Sequence, residues 1–305
     1  MSDTRMPSKG SRRLFLKGAA AGAAGFASPC AAAYSAPDRG SESADSTVRD
    51  KLWIFTCPAS TDNDPTNRYG LPGISRMTPA EGAFYLNVPN LLMIRASGKP
   101  PMPSDQYAIP FKPLRRVVWS ITGSGGTTSE EAREDAIRLA HRFPNIVGFI
   151  MDDFFHGEGA GQFSPDQLQT LRKRFVIDGR TMDLYVVLYT HQLNWPVGEH
   201  LKHCDKITLW TWNSKDLKNL EQNFARLERL APDHGKLLGC YTWDYPNKQT
   251  VPLDLMEKQC ELGLRWLREG RIEGIIFLAN TTGDFEVPAW EFARDWIEKV
   301  GDEHL

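Results

Sequence analysis

The sequence predicts a single (β/α)8 barrel, on three observations: eight short apolar runs, helical patterns between them, and a repeat series spanning about 250 residues. The runs fall at 52–55, 91–94, 117–121, 146–151, 184–189, 207–212, 237–243 and 275–279. Several are continuously apolar rather than alternating. That is the pattern of parallel strands covered on both faces. A doubly wound open sheet is the competing architecture, but no glycine-rich phosphate fingerprint follows the first run.

The intervening helices carry their own start signals. Thr78-Pro79-Ala80-Glu81 and Ser164-Pro165-Asp166-Gln167 each give a cap, a proline at the first helical position, and an acid or amide at the third. Thr128 and Glu131 suggest a capping box for an amphipathic helix over 128–141. Later helices are expected at 215–230, 253–269 and 288–300, with a short one within 194–202.

Composition excludes several functions. Thirty-six basic residues stand against 38 acidic ones among 305, so no basic surplus points to nucleic acid or an anionic membrane. Mean hydropathy is −0.41, and no run approaches the roughly 20 apolar residues that span a bilayer.

The N-terminus predicts export. Ser11-Arg12-Arg13-Leu14-Phe15-Leu16-Lys17 resembles the twin-arginine signal that sends folded proteins out of the cytoplasm. An Ala/Gly-rich stretch follows, and Ala31-Ala32-Ala33 supplies the narrow side chains a signal peptidase needs. This reading assigns 1–33 to a signal peptide, 34–50 to a flexible linker and 51–305 to the barrel. It implies the twin-arginine machinery as a partner and a periplasmic or secreted location. Cys30 leaves with the leader. Cys57, Cys204, Cys240 and Cys260 show no C-x-x-C spacing, and Cys240 reads as core.

In a barrel, chemistry gathers where the strands end. The strand ends here bring Arg95, Trp119, Asp152, Asp153, Tyr189, His191, Trp210, Trp212, Tyr241, Trp243, Asp244 and Asn280. Aromatics among carboxylates, amides and hydroxyls suit a carbohydrate or another small polar substrate. Sugar C–H faces stack on rings, and sugar hydroxyls need paired donors and acceptors. Asp152-Asp153 is the sharpest feature, because an apolar strand has little structural reason to end on two carboxylates. Adjacent residues on a strand point to opposite faces, so one of the two is expected at the mouth. The loop Gly123-Ser124-Gly125-Gly126 is read as a flexible connection rather than a phosphate cradle.

A carboxylate after strand 4 and another after strand 7 resembles the barrel glycoside hydrolases that place their acid/base and their nucleophile at those two positions. That resemblance implies Asp152 or Asp153 as acid/base and Asp244 as nucleophile or base. The strand-end placement, independently, suggests Arg95, the strand-end aromatics, His191 and Asn280 as substrate-binding residues. This chain has Asp-Asp where the clan normally has glutamate, often preceded by asparagine. No cofactor or metal is called for. Two other readings stand beside it. One is a non-catalytic glycan-binding barrel built on the same aromatics. The other is a metal-dependent isomerase or epimerase using His156 and His191 with the three aspartates.

Overall fold

A computed structural model describes residues 46–157 and 159–305. The signal peptide and most of the linker read from the sequence lie outside the described residues. Residues 46–50, assigned to the linker, pack on the barrel instead: Val48 is buried, and Thr47 bridges His304.

Eight parallel strands close a barrel in chain order. They are β1 (Leu52–Thr56), β2 (Asn90–Met93), β3 (Arg116–Thr122), β4 (Ile146–Met151), β5 (Asp183–Tyr189), β6 (Lys206–Trp210), β7 (Gly235–Tyr241) and β8 (Gly274–Leu278). Closure comes from β1 pairing with β8, Leu52 opposite Ile275 and Phe55 opposite Leu278. The helices are α1 (Pro79–Tyr85), α2 (Asp105–Ala108), α3 (Glu130–Arg142), α4 (Pro165–Arg172), α5 (Gly198–Leu201), α6 (Leu220–Leu230), α7 (Leu253–Arg268) and α8 (Pro288–Val300). No helix among the described residues is long and apolar enough to cross a membrane.

Local chemistry sets the helix starts. Thr78 and Ser164 form complete capping boxes with Glu81 and Gln167. The expected box at Thr128 shifts by one residue: Ser129 caps α3 by accepting the Ala132 N–H. The Thr128 hydroxyl instead donates to the Ile121 carbonyl at 2.8 Å. That bond draws Thr128 back to the end of β3 and leaves the cap to its neighbour.

The barrel interior is filled in layers, as its width requires. Trp53 from β1 meets Tyr185 from β5, with ring centroids 6.3 Å apart. The Arg116 guanidinium lies 4.7 Å from the Trp53 ring centre. Above them Phe55, Trp210 and Tyr241 pack edge to face, at 5.2 and 5.1 Å from Trp210. Gly239 makes this layer fit, since a Cβ there would lie 2.1 Å from the Trp210 indole. Over the Phe55–Trp210–Tyr241 layer, where the strands end, the barrel opens.

Candidate active site

The loop after β1, residues 57–78, is the longest at the rim among the described residues and is tied down at several points. Asn280 accepts the Cys57 N–H at 3.0 Å and donates to the carbonyls of Cys57 and Met77 at 2.9 and 2.7 Å. Trp243 Nε1 donates to the Tyr69 carbonyl at 3.0 Å. Thr281 Oγ1 donates to Asp62 at 2.5 Å. These bonds hold Cys57, Asp62 and Tyr69 over the open end of the barrel.

The result is a pit enclosing about 620 Å³ of space, part of it open to solvent. Phe55, Trp210, Val187 and Leu278 line its deep part, and Tyr69, Tyr189, Trp212, Tyr241 and Tyr245 its walls. Trp212 stacks on Tyr245 with centroids 5.5 Å apart and planes 3° apart. Asp62, Asp152 and Asp153 supply its carboxylates.

Both aspartates after β4 line this pit, where strand alternation predicts only one. The reason is backbone conformation: Asp153 has φ +45°, in the left-handed region, so alternation stops at Asp152. The Asp152 N–H still pairs with the Thr122 carbonyl at 2.9 Å, so the turn begins on the barrel itself. Asp153 then accepts the Tyr189 hydroxyl at 2.7 Å and the Gly125 N–H at 2.8 Å. The glycine-rich loop after β3 therefore clamps Asp153. Gly126 (φ +69°) belongs to that clamp, since a Cβ there would meet Gln162 at 2.4 Å and the Asp153 carbonyl at 2.9 Å.

The environment of Asp152 is the most unusual in the molecule. It is 5% exposed. Burial pushes its carboxyl well above the usual carboxylate range, and the adjacent Asp153 charge adds to the effect. The phenols of Tyr189 and Tyr241 are raised as well, chiefly by burial, and so remain neutral donors. A buried carboxyl with a raised pKa beside a second carboxyl held by two donors is an arrangement general acid–base chemistry uses.

The remaining residues picked from the sequence divide sharply. Tyr189, Trp210, Trp212 and Tyr241 line the pit. Asp244 does not: at 1% exposure it accepts hydrogen bonds from the Ser214 N–H (3.3 Å), the Ser214 hydroxyl, the Asn247 N–H (3.2 Å) and Asn247 Nδ2 (2.8 Å). It ties the loop after β6 to the loop after β7. Trp243 and Asn280 act as the ties described above, outside the pit lining. Trp119 is buried against Phe111, with centroids 6.1 Å apart, behind β3. Arg95 donates to the Pro100 carbonyl at 2.8 Å and borders a separate surface groove with Ser97 and Thr128. His191 stacks on Tyr189 outside the lining, at 5.5 Å and 12° between planes. His156 is exposed on a hairpin, Phe155–His156 paired with Ala160–Gly161. The side chains of the metal-dependent reading are thus dispersed. Among the described residues no three His, Cys, Asp or Glu side chains are grouped to hold an ion.

Asp62 and Tyr69 were missed from the sequence, and Tyr245, placed at the end of strand 7, was not picked as a site residue. The available signal for the first two was the length of the β1 loop, since long rim loops without secondary structure usually serve a site. Tyr245 follows β7 directly but sits two residues beyond the apolar run.

Neither the family models nor the curated proteins contain a match to this chain. Among solved structures, the chain is similar to a putative α-L-fucosidase from Bacteroides thetaiotaomicron, with a TM-score of 0.54, 12% identity, 86% of this chain and 98% of that one. It is also similar to YKL-39, solved in the presence of chitooligosaccharides, with a TM-score of 0.53, 12% identity, and 82% and 99% covered. The glycoside hydrolase domain of PgaB from Bordetella bronchiseptica gives a TM-score of 0.51, 12% identity, and 81% and 98% covered. These likenesses are of fold. The chain has the closed eight-stranded parallel barrel of these structures.

Proposed function

We propose that this protein is a carbohydrate-active hydrolase that cleaves a glycosidic bond in the pit, with Asp152 as proton donor and Asp153 as its carboxylate partner. One observation carries the reading: the end of β4 sets a buried carboxyl with a raised pKa beside a second one fixed by Tyr189 and Gly125, inside walls of tyrosine and tryptophan. The rings stack on sugar C–H faces and exclude water. Asp152 donates its proton to the glycosidic oxygen as the C–O bond breaks. Water adds to the anomeric carbon and passes its proton to Asp153. In this assignment Asp153 takes the base role that the resemblance gave to Asp244, which buttresses the rim.

The test is a screen of the purified protein against a glycan panel, repeated with Asp152→Asn and Asp153→Asn. Product formed by the parent and lost in both variants supports the reading. Sugar binding without product in the parent contradicts hydrolysis and favours a glycan-binding barrel.

We also infer that the protein acts outside the cytoplasm, exported folded through Arg12-Arg13 and the apolar stretch after them. Replacing both arginines with lysine is expected to leave the precursor inside the cell. Undiminished export of that variant contradicts the assignment.

A further inference from the structure

Among the described residues, three aspartates line the pit and no lysine, arginine or histidine does. Asp62 comes from the β1 loop; Asp152 and Asp153 come from the end of β4, across the barrel mouth. Beside them the Cys57 thiol is pushed up by burial, with Asp62, Asp152 and Asp153 adding to the effect.

The donors that meet these acids are neutral. Asp62 has the Thr281 hydroxyl, and Asp153 has the Tyr189 hydroxyl and the Gly125 N–H. Asp152, 5% exposed and open to the pit, meets no side-chain donor among the described residues. The cation that Asp62 feels is Arg68, which stays outside the pit lining. Its side chain is 67% exposed and lies 3.5 Å from Asp64, with the guanidinium 4.6 Å from the Tyr69 ring centre.

An acidic pit whose lining supplies only neutral donors favours a ligand that brings positive charge over one that does not. The walls add a second attraction. Tyr69 and Tyr245 stand edge to face at 5.0 Å, and the Trp212–Tyr245 stack continues the cluster. Such ring groups bind ammonium through their electron-rich faces. A hydroxyl or an acetamide gains from neither effect, and a carboxylated or phosphorylated sugar is repelled.

Resting on the sugar reading above, we propose that the pit takes a glycosyl unit bearing a free, protonated amine, with its ammonium held by Asp62 against the Tyr69 and Tyr245 rings. This goes further than general carbohydrate recognition. It separates amino sugars from their N-acetylated, neutral and acidic counterparts.

Tryptophan fluorescence provides the test, because Trp210 and Trp212 line the pit. The exported form is titrated near pH 6.5 with glucosamine, N-acetylglucosamine, glucose and glucuronate, and then with galactosamine and galactose. At least one amino sugar is expected to bind about tenfold or more tighter than its acetylated and neutral counterparts, with glucuronate weakest. Asp62→Asn is expected to abolish that preference. The comparison within the parent protein decides the matter even if Asp62→Asn does not fold. Equal or tighter binding of the acetylated or neutral sugar overturns the proposal and leaves the hydrolase reading in place. Failure of every sugar to bind takes both down.

Discussion

The ends of β4 and β7 each place a buried aspartate after an apolar strand, and the two are held in opposite ways. Asp244, after β7, is surrounded by the backbone and side-chain donors of Ser214 and Asn247. Its hydrogen-bonding capacity is spent on joining two loops. Asp152, after β4, is nearly as buried but faces the pit without a side-chain donor, next to another negative charge. Burial alone therefore does not mark a reactive carboxyl. What sets Asp152 apart is burial with no side-chain donor, so that desolvation and the neighbouring Asp153 outweigh the one backbone hydrogen bond and push its carboxyl up.

Substitutions sharpen this contrast, beginning with the largest expected effect. Asp152→Asn and Asp153→Asn are each expected to lower kcat by about 10²–10⁴-fold on whichever glycan the parent cleaves, the usual scale of a general acid or base. Losses below about tenfold in both would break the contrast. Asp244→Ala should act on stability instead. It strands four donor contacts in the core, for about 3 kcal/mol measured by denaturant unfolding. Its kcat, measured below the unfolding transition, should fall far less than that of the Asp152 variant.

Tyr189→Phe removes one of the two donors on Asp153. A loss of about five- to tenfold in kcat with little change in KM is expected, corresponding to a single hydrogen bond. Asp152→Asn should also change the pH dependence of folding. Its carboxyl has a raised pKa in the folded state, so at low pH both states are protonated and the residue costs nothing. As pH climbs above about 4, the unfolded chain releases its proton first, and stability falls until the folded pKa is passed. The asparagine variant should therefore melt a few degrees higher than the parent at pH 7, roughly 2–4 °C for each kcal/mol recovered. The gain should vanish below about pH 4; an equal gain at all pH values would show that ionisation is not its cause. Smallest of all is Arg95→Ala. It borders a different groove, so turnover should change by no more than about twofold, the equivalent of about 0.5 kcal/mol.

Much of the architecture was legible because it rests on local rules. Continuous apolar runs marked the strands, and the caps at Thr78 and Ser164 marked helix starts to the residue. The pit was only half legible. Trp210 and Trp212 project inward together, as strand alternation requires, and Tyr189 and Tyr241 close their strands on the same face. The alternation rule failed at Asp153, where a left-handed backbone follows from tertiary contacts with Tyr189 and Gly125 that no local pattern encodes. It was also silent on Asn280 and Trp243, whose polar atoms serve a loop more than 170 positions away in sequence. Asp62 depends on that same distant anchoring, so its place in the pit follows from β8 as much as from its own surroundings.

The most direct measurement is a crystal structure of Asp152→Asn with a bound oligosaccharide that the parent cleaves. The arrangement described here predicts the glycosidic oxygen within hydrogen-bonding distance of residue 152, Asp153 on the water side, and a sugar ring against Trp212. An oligosaccharide seated elsewhere, with its glycosidic bond away from the end of β4, would contradict it.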